Sequence, residues 1–272
     1  MDIFGLVLWG TVILYAIASL CFISALILKK GVLENLSFLL SIVALVCHII
    51  ATAIRWIDVG YGPYIGFFDA LSSYALLTSF TYIALVVWRP TLKSIGTIVM
   101  PIAFILLAVA LTSSPSDMGI TPALASVWLV IHVIFAATAV TAVLVSCAIA
   151  VIYIMRDKGK EIELFKQLPD QPALDMLVFQ FVSVGFILWT IMIIIGAVWA
   201  NEAWGRYWGW DPIETWSLIA WVMYALCLHM RLTMGWKGRR FAYLALAAVP
   251  LMLFALIGVP FVWDSIHAAY LS

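Results

Sequence analysis

Residues 204–216, WGRYWGWDPIETW, place four tryptophans, one arginine and two acids in thirteen positions. Flat aromatic surface beside opposite charges suits a flat, mostly apolar group that carries a few charged substituents. The four histidines, His48, His132, His229 and His267, are the other residues able to do chemistry, because neutral imidazole is a common metal ligand. Asp211-Pro212-Ile213-Glu214 also has an ordinary use. Asp at the N-cap, Pro at N1 and Glu at N3 make a capping-box helix start. Cys21, Cys47, Cys147 and Cys227 all fall in apolar stretches, with no CxxC and no CxxCH, so covalent c-type haem is excluded. No P-loop and no zinc-type Cys/His cluster occurs.

The elements that must position these residues are membrane spans. Of 272 residues, 66% are hydrophobic and 10% charged, with mean hydropathy +1.15. A spanning helix needs about 20 predominantly apolar residues, and eight such segments are expected: 4–28, 35–57, 67–88, 94–112, 123–155, 176–200, 215–233 and 241–263. The fold class is all-α, a polytopic membrane protein with about eight transmembrane helices. The net charge of zero hides a strong asymmetry. With the N-terminus outside, one set of loops carries Lys29, Lys30, Arg89, Lys93, Arg156, Lys158, Lys160, Lys166, Arg231, Lys237, Arg239 and Arg240, and the other only Arg55 and Arg206. Cytoplasmic loops carry the excess of Lys and Arg. Both termini and the tryptophan-rich loop are therefore expected on the extracytoplasmic side of the inner membrane. The chain reads as one membrane domain, 1–272, with 156–175 as a cytoplasmic linker loop. No internal repeat supports an inverted-repeat transporter, and no nucleic-acid partner is expected.

Helix rise sets the heights of the histidines. His132 lies 24 residues above Arg156, about 36 Å, and His267 lies 27 residues beyond Arg240, about 40 Å, at 1.5 Å per residue. A hydrocarbon core is about 30 Å thick, so both are expected near the outer surface. His48 and His229 fall inside the second and seventh spans, where an ionisable residue is costly and points to function. Trp199, Trp221 and Trp263 read as interface anchors. An aromatic shelf between two imidazoles is what a flat, iron-bearing macrocycle requires, and the outward cations Arg55 and Arg206 suit its propionates.

The run WANEAWGRYWGWDPIETWSLIAWVMYALCLHMR, residues 199–231, resembles the tryptophan-rich WWD segment of the CcsA/CcmC-type cytochrome c assembly proteins, through Trp204, Trp208, Trp210, Asp211, Glu214, Trp221 and His229. ASVWLVIHV near His132 and GVPFVWDSIHAAY with His267 resemble the family's two external histidine segments. HIIATAIRWIDVGYGP, from His48, resembles the second helix and outer loop of bacterial CcsA proteins. Gly66 and Asp69 stand where the family usually has Asn and Glu.

The resemblance implies a role in cytochrome c biogenesis as the membrane part of a holocytochrome c synthase. Non-covalent haem b would occupy a transmembrane site and an outer-surface site. His132 and His267 would be the outer axial ligands, and His229 a ligand of the transmembrane haem. Trp204, Trp208, Trp210 and Asp211 would form the display platform. Ferrous haem would there be joined to the CxxCH thiols of an apocytochrome c. The implied partner is a CcsB-like membrane protein, which often supplies a membrane histidine; His48 is the candidate to replace it, although it lies about 10 Å below Arg55 and His229 about 26 Å below Pro212. The alternative is a two-haem electron-transfer subunit that passes electrons from quinol to a multihaem cytochrome c, with His48 and His229 holding a permanent haem.

Overall fold

The computed structural model describes residues 2–62, 64–113, 121, 123–157 and 163–267. Among them are eight helices long and apolar enough to cross a membrane, and no strand. In lipid every backbone N–H and C=O must be satisfied within the chain, so an apolar run folds as helix. The helices are α1 (Ile3–Leu28), α2 (Gly31–Val59), α3 (Phe67–Trp88), α4 (Gly96–Ala110, entered through a 3₁₀ turn at Pro90–Ile95), α5 (Val127–Asp157), α6 (Gln171–Trp204), α7 (Pro212–Leu232), α8 (Arg239–Leu253) and the short α9 (Val259–Val262). Ala268–Ser272, and Lys158 and Lys160 of the loop between α5 and α6, lie outside the described residues.

Helix ends follow local chemistry. Asp2 and Asp170 cap α1 and α6 by accepting Gly5 N–H at 2.8 Å and Ala173 N–H at 3.0 Å. Gly60 and Gly205 close α2 and α6 in the left-handed conformation that glycine adopts without strain. The eighth span departs from the expected continuous helix. After Pro250 it widens into a π turn at Phe254–Gly258, then resumes as α9.

α5 is the most enclosed span: 72% of its central window is buried, against 22–56% in the others. Its small residues, among them Ala136, Ala139, Ala142 and Ala148, let α6 approach closely, as small residues do at helix contacts in membranes. Gly185 of α6 completes the fit, since a Cβ there would stand 2.9 Å from the Val143 side chain. At the cation-rich end, Arg231 makes a bidentate pair with Asp175, 3.0 and 2.7 Å, and Gly238 N–H donates to the same carboxylate at 2.7 Å. The opposite end gathers the start of α1, the 60–66 turn, the loop before α5, the tryptophan-rich loop and the 263–267 segment around two cavities.

Candidate functional site

The tryptophan-rich loop is short and tightly held. α6 stops at Gly205, and α7 starts at Asp211 with a complete capping box. Asp211 accepts Ile213 N–H at 3.0 Å, while Glu214 Oε2 accepts Gly209 N–H at 2.8 Å and Asp211 N–H at 3.1 Å. Between them Trp210 has φ +57°, a left-handed conformation uncommon outside glycine and asparagine. The loop carries this strain at the mouth of a cavity, where such strain tends to collect. Arg206 folds over Gly209, and a Cβ at Gly209 would coincide with its guanidinium. Its Nη1 is buried with no hydrogen-bond partner.

The end of the chain closes onto this loop. Trp263 leaves α9 in an extended conformation, and residues 265–267 turn back to Asp211. Ser265 Oγ–H and His267 Nδ1–H donate to Asp211 Oδ1 at 2.7 and 2.9 Å, and Ile266 N–H donates to Oδ2 at 3.0 Å. Burial pushes the Asp211 carboxyl up, but the hydrogen bonds from His267, Ser265 and Ile266, with the His267 charge, outweigh it and hold the pKa down at about 2.

His132 arrives from the other side, on the second turn of α5. Its Nδ1–H donates to the Met192 carbonyl of α6 at 2.9 Å. Gly196 makes the room, because a Cβ there would lie 2.7 Å from both Cε1 and Nδ1 of the ring. Trp199 packs against both histidines. Its ring lies 6.4 Å from His132 with planes 23° apart, and 5.8 Å from His267. Trp204 completes the cluster, 4.9 Å from Trp199 and 4.8 Å from His267. Trp199 is fixed by donating Nε1–H to the Ala123 carbonyl at 2.9 Å.

Both imidazoles line one cavity, whose empty volume is about 1250 Å³ including the solvent it opens to. Tyr207, Trp208 and Glu214 of the tryptophan-rich loop and α7 line it, and Leu71, Leu129, Val133, Ile193 and Ile213 contribute apolar wall. Each Nδ1 is already bonded to an oxygen, so Nε2 is the nitrogen each ring has left for a ligand, the arrangement typical of metal-binding histidines. Among the described residues no group of three or more His, Cys, Asp or Glu stands together. Two imidazoles over apolar walls suit a metal that brings its own macrocycle.

The other expected residues are placed differently. Trp210 is 69% exposed and meets Trp208 edge-to-face at 5.7 Å, so it projects outward from the cavity. Arg55 closes a buried bidentate pair with Asp69, 2.6 and 2.8 Å, beside the smaller cavity, which gives it a carboxylate partner within the chain instead of a propionate. His48 is 0% exposed, with Nδ1 3.2 Å from Tyr15 Oη and Nε2 3.0 Å from Ser72 Oγ. His229 lies on the exposed face of α7. His48 is thus enclosed with both nitrogens engaged, while His229 stands on the exposed face of another helix. Met192 and Gly196 carry no signal in the sequence, and Trp199 carries only that of an interface anchor.

The family model for "Cytochrome C assembly protein" matches residues 36–267, from α2 through His132 to His267. The chain belongs to the cytochrome c assembly protein family. It is 34% identical over 253 residues to cytochrome c biogenesis protein CcsA of Guillardia theta, covering 84% of this chain and 83% of the relative. CcsA of a Picosynechococcus species is 31% identical, covering 83% and 85%, and that of Chlamydomonas reinhardtii is 32% identical, covering 79% and 63%. The solved structure of cytochrome c haem lyase CcmF shares the fold, with a TM-score of 0.72 at 16% identity over 98% of this chain; the chain spans about half, 47%, of that protein. This CcsA-type assembly protein is thus a multi-pass membrane protein of cytochrome c biogenesis.

Proposed function

We propose that this assembly protein takes haem b as its substrate, holds it non-covalently between His132 and His267 in the outer cavity, and presents it to the CxxCH thiols of an apocytochrome c. The observation that carries this reading is that two imidazoles far apart in sequence line one apolar cavity, each with Nδ1 bonded and each packed against Trp199. The buried, unpartnered Nη1 of Arg206 suits a propionate carboxylate. The thioether bonds form when thiols add across the haem vinyl groups, so the chain need supply no nucleophile. His132 and His267 bind and orient, Trp208 and Tyr207 line the cavity with aromatic surface, and the aliphatic walls exclude water. The excess of Lys and Arg at the far end supports an extracytoplasmic cavity in an inner-membrane protein.

Haem would reach this site through a transmembrane site in which His229 supplies one ligand. Its position on the exposed face of α7 fits a second ligand from a CcsB-like partner. The enclosure of His48 favours delivery over a resident two-haem wire between quinol and a multihaem cytochrome, which would need His48 and His229 on one iron.

The test is the spectrum of purified protein together with cytochrome c maturation in the same cells. Wild type should show a low-spin, two-imidazole haem. His132→Ala and His267→Ala should each convert or remove it, and maturation should stop. An unchanged spectrum in the double variant would reject the site. Normal maturation in the double variant would reject the function.

A further inference from the structure

Capping α7 uses only part of the Asp211 carboxylate. Oδ1 accepts Ile213 N–H for the cap but also Ser265 Oγ–H at 2.7 Å and His267 Nδ1–H at 2.9 Å, and Oδ2 accepts Ile266 N–H at 3.0 Å. Three consecutive residues of the segment beyond α9 thus converge on one side chain that is 7% exposed. His132 is held otherwise. It rides on α5, is clasped by Gly196, and donates to the neutral carbonyl of Met192.

An imidazole that donates to a carboxylate gains basicity at its other nitrogen, more so than one donating to a carbonyl. The two rings facing the cavity are therefore unequal in both support and donor strength. We propose that Asp211 is the positioning residue of His267: it latches the 265–267 segment over the cavity and makes His267 the stronger iron donor of the pair. This rests on the reading of the cavity as a haem site.

The test uses the full-length, haem-loaded protein and reads its reduction potential. Asp211→Asn keeps the shape and an acceptor oxygen but removes the charge, and Ser265→Ala removes one bond to the same carboxylate while leaving the charge. Asp211→Asn should keep a low-spin spectrum and raise the potential; Ser265→Ala should not raise it. No rise in Asp211→Asn, or an equal rise in both, overturns the proposal. A second measurement leaves Asp211 intact. In His267→Gly, added imidazole, which has an N–H for Asp211, should bind about tenfold more tightly than 1-methylimidazole, which has none. Equal affinities overturn the proposal, as does a preference undiminished when Asp211→Asn is added. If His267→Gly leaves the wild-type spectrum intact, the haem-site reading itself has failed, a result distinct from failure of the latch.

Discussion

Gly196 of α6 lies against the imidazole of His132 so closely that a Cβ would stand 2.7 Å from two ring atoms. The ring cannot yield without leaving the Met192 carbonyl it is bonded to at 2.9 Å. Gly196→Ala should therefore displace His132 and abolish the low-spin haem signal while the protein still accumulates. Gly10→Ala, where a Cβ meets nothing within 4 Å, is the control and should bind normally. Wild-type haem binding in Gly196→Ala would contradict the geometry.

His48 and His229 should fail in opposite ways. Truncating His48 orphans the hydroxyls of Tyr15 and Ser72, about 1–3 kcal/mol for each buried group left unsatisfied. His48→Ala is expected to lower thermal stability in detergent and leave the outer haem spectrum intact. His229→Ala is expected to leave stability unchanged and block maturation, because the exposed ring contributes little to the interior. Mature cytochromes in His229→Ala, with electron flow from quinol lost, would instead favour the resident two-haem carrier.

Trp199 separates burial from hydrogen bonding. Trp199→Phe retains a ring beside both histidines and loses the bond to the Ala123 carbonyl, about 1 kcal/mol. Trp199→Ala empties the same space, at about 3–5 kcal/mol. Haem stoichiometry should be near wild type in the first variant and strongly reduced in the second. Equal losses would mean that the indole N–H, not the aromatic surface, is what the site needs.

Acid should release the Asp211 latch only at low pH. The folded carboxyl titrates at about 2, below the ordinary value of about 3.9 for an unfolded chain. A depressed folded value stabilises fully above the unfolded value, and the contribution is lost as pH falls toward the folded one. The stability advantage of wild type over Asp211→Asn should thus not shrink between pH 7 and 5, and should narrow from about pH 4 toward 2. Denaturant titration in detergent at each pH measures it. An advantage already gone at pH 5 would show that the carboxylate is not held down.

Sidedness is open to a direct check. Asp264 and Lys237 are exposed at opposite ends of the last span. With an impermeant thiol reagent on intact cells, Asp264→Cys should react at once and Lys237→Cys only after the inner face is opened. The reverse order would invert the topology.

Span number and charge asymmetry were legible because length, hydropathy and loop charge are properties of composition. Helix rise gave heights for His132 and His267, but a height carries no azimuth; only the fold shows that α5 and the terminal segment meet at Trp199. His48 and His229 look alike in sequence, each an imidazole in an apolar span. What separates them is Tyr15 and Ser72, 33 and 24 residues from His48, which no local pattern connects. Arg55 likewise reads in sequence as an outward cation for a propionate, and its pairing with Asp69, fourteen residues on, needs the fold. Trp199 reads by type as an interface anchor, although its neighbours make it the ring both histidines pack against.

The π turn at Phe254–Gly258 holds one residue more than the helix around it would. Each residue advances an α-helix by about 100°, so the turn shifts the phase of everything after it by roughly that angle. Trp263 and the segment to His267 leave the last span on a side that the phase of α8 alone would not select. A one-residue deletion within 254–258 would keep every histidine, tryptophan and charge of the site, and still swing the terminal segment away from Asp211. The span therefore works as a counting device: the number of residues between Pro250 and Trp263, more than their chemical types, decides where the last imidazole is delivered.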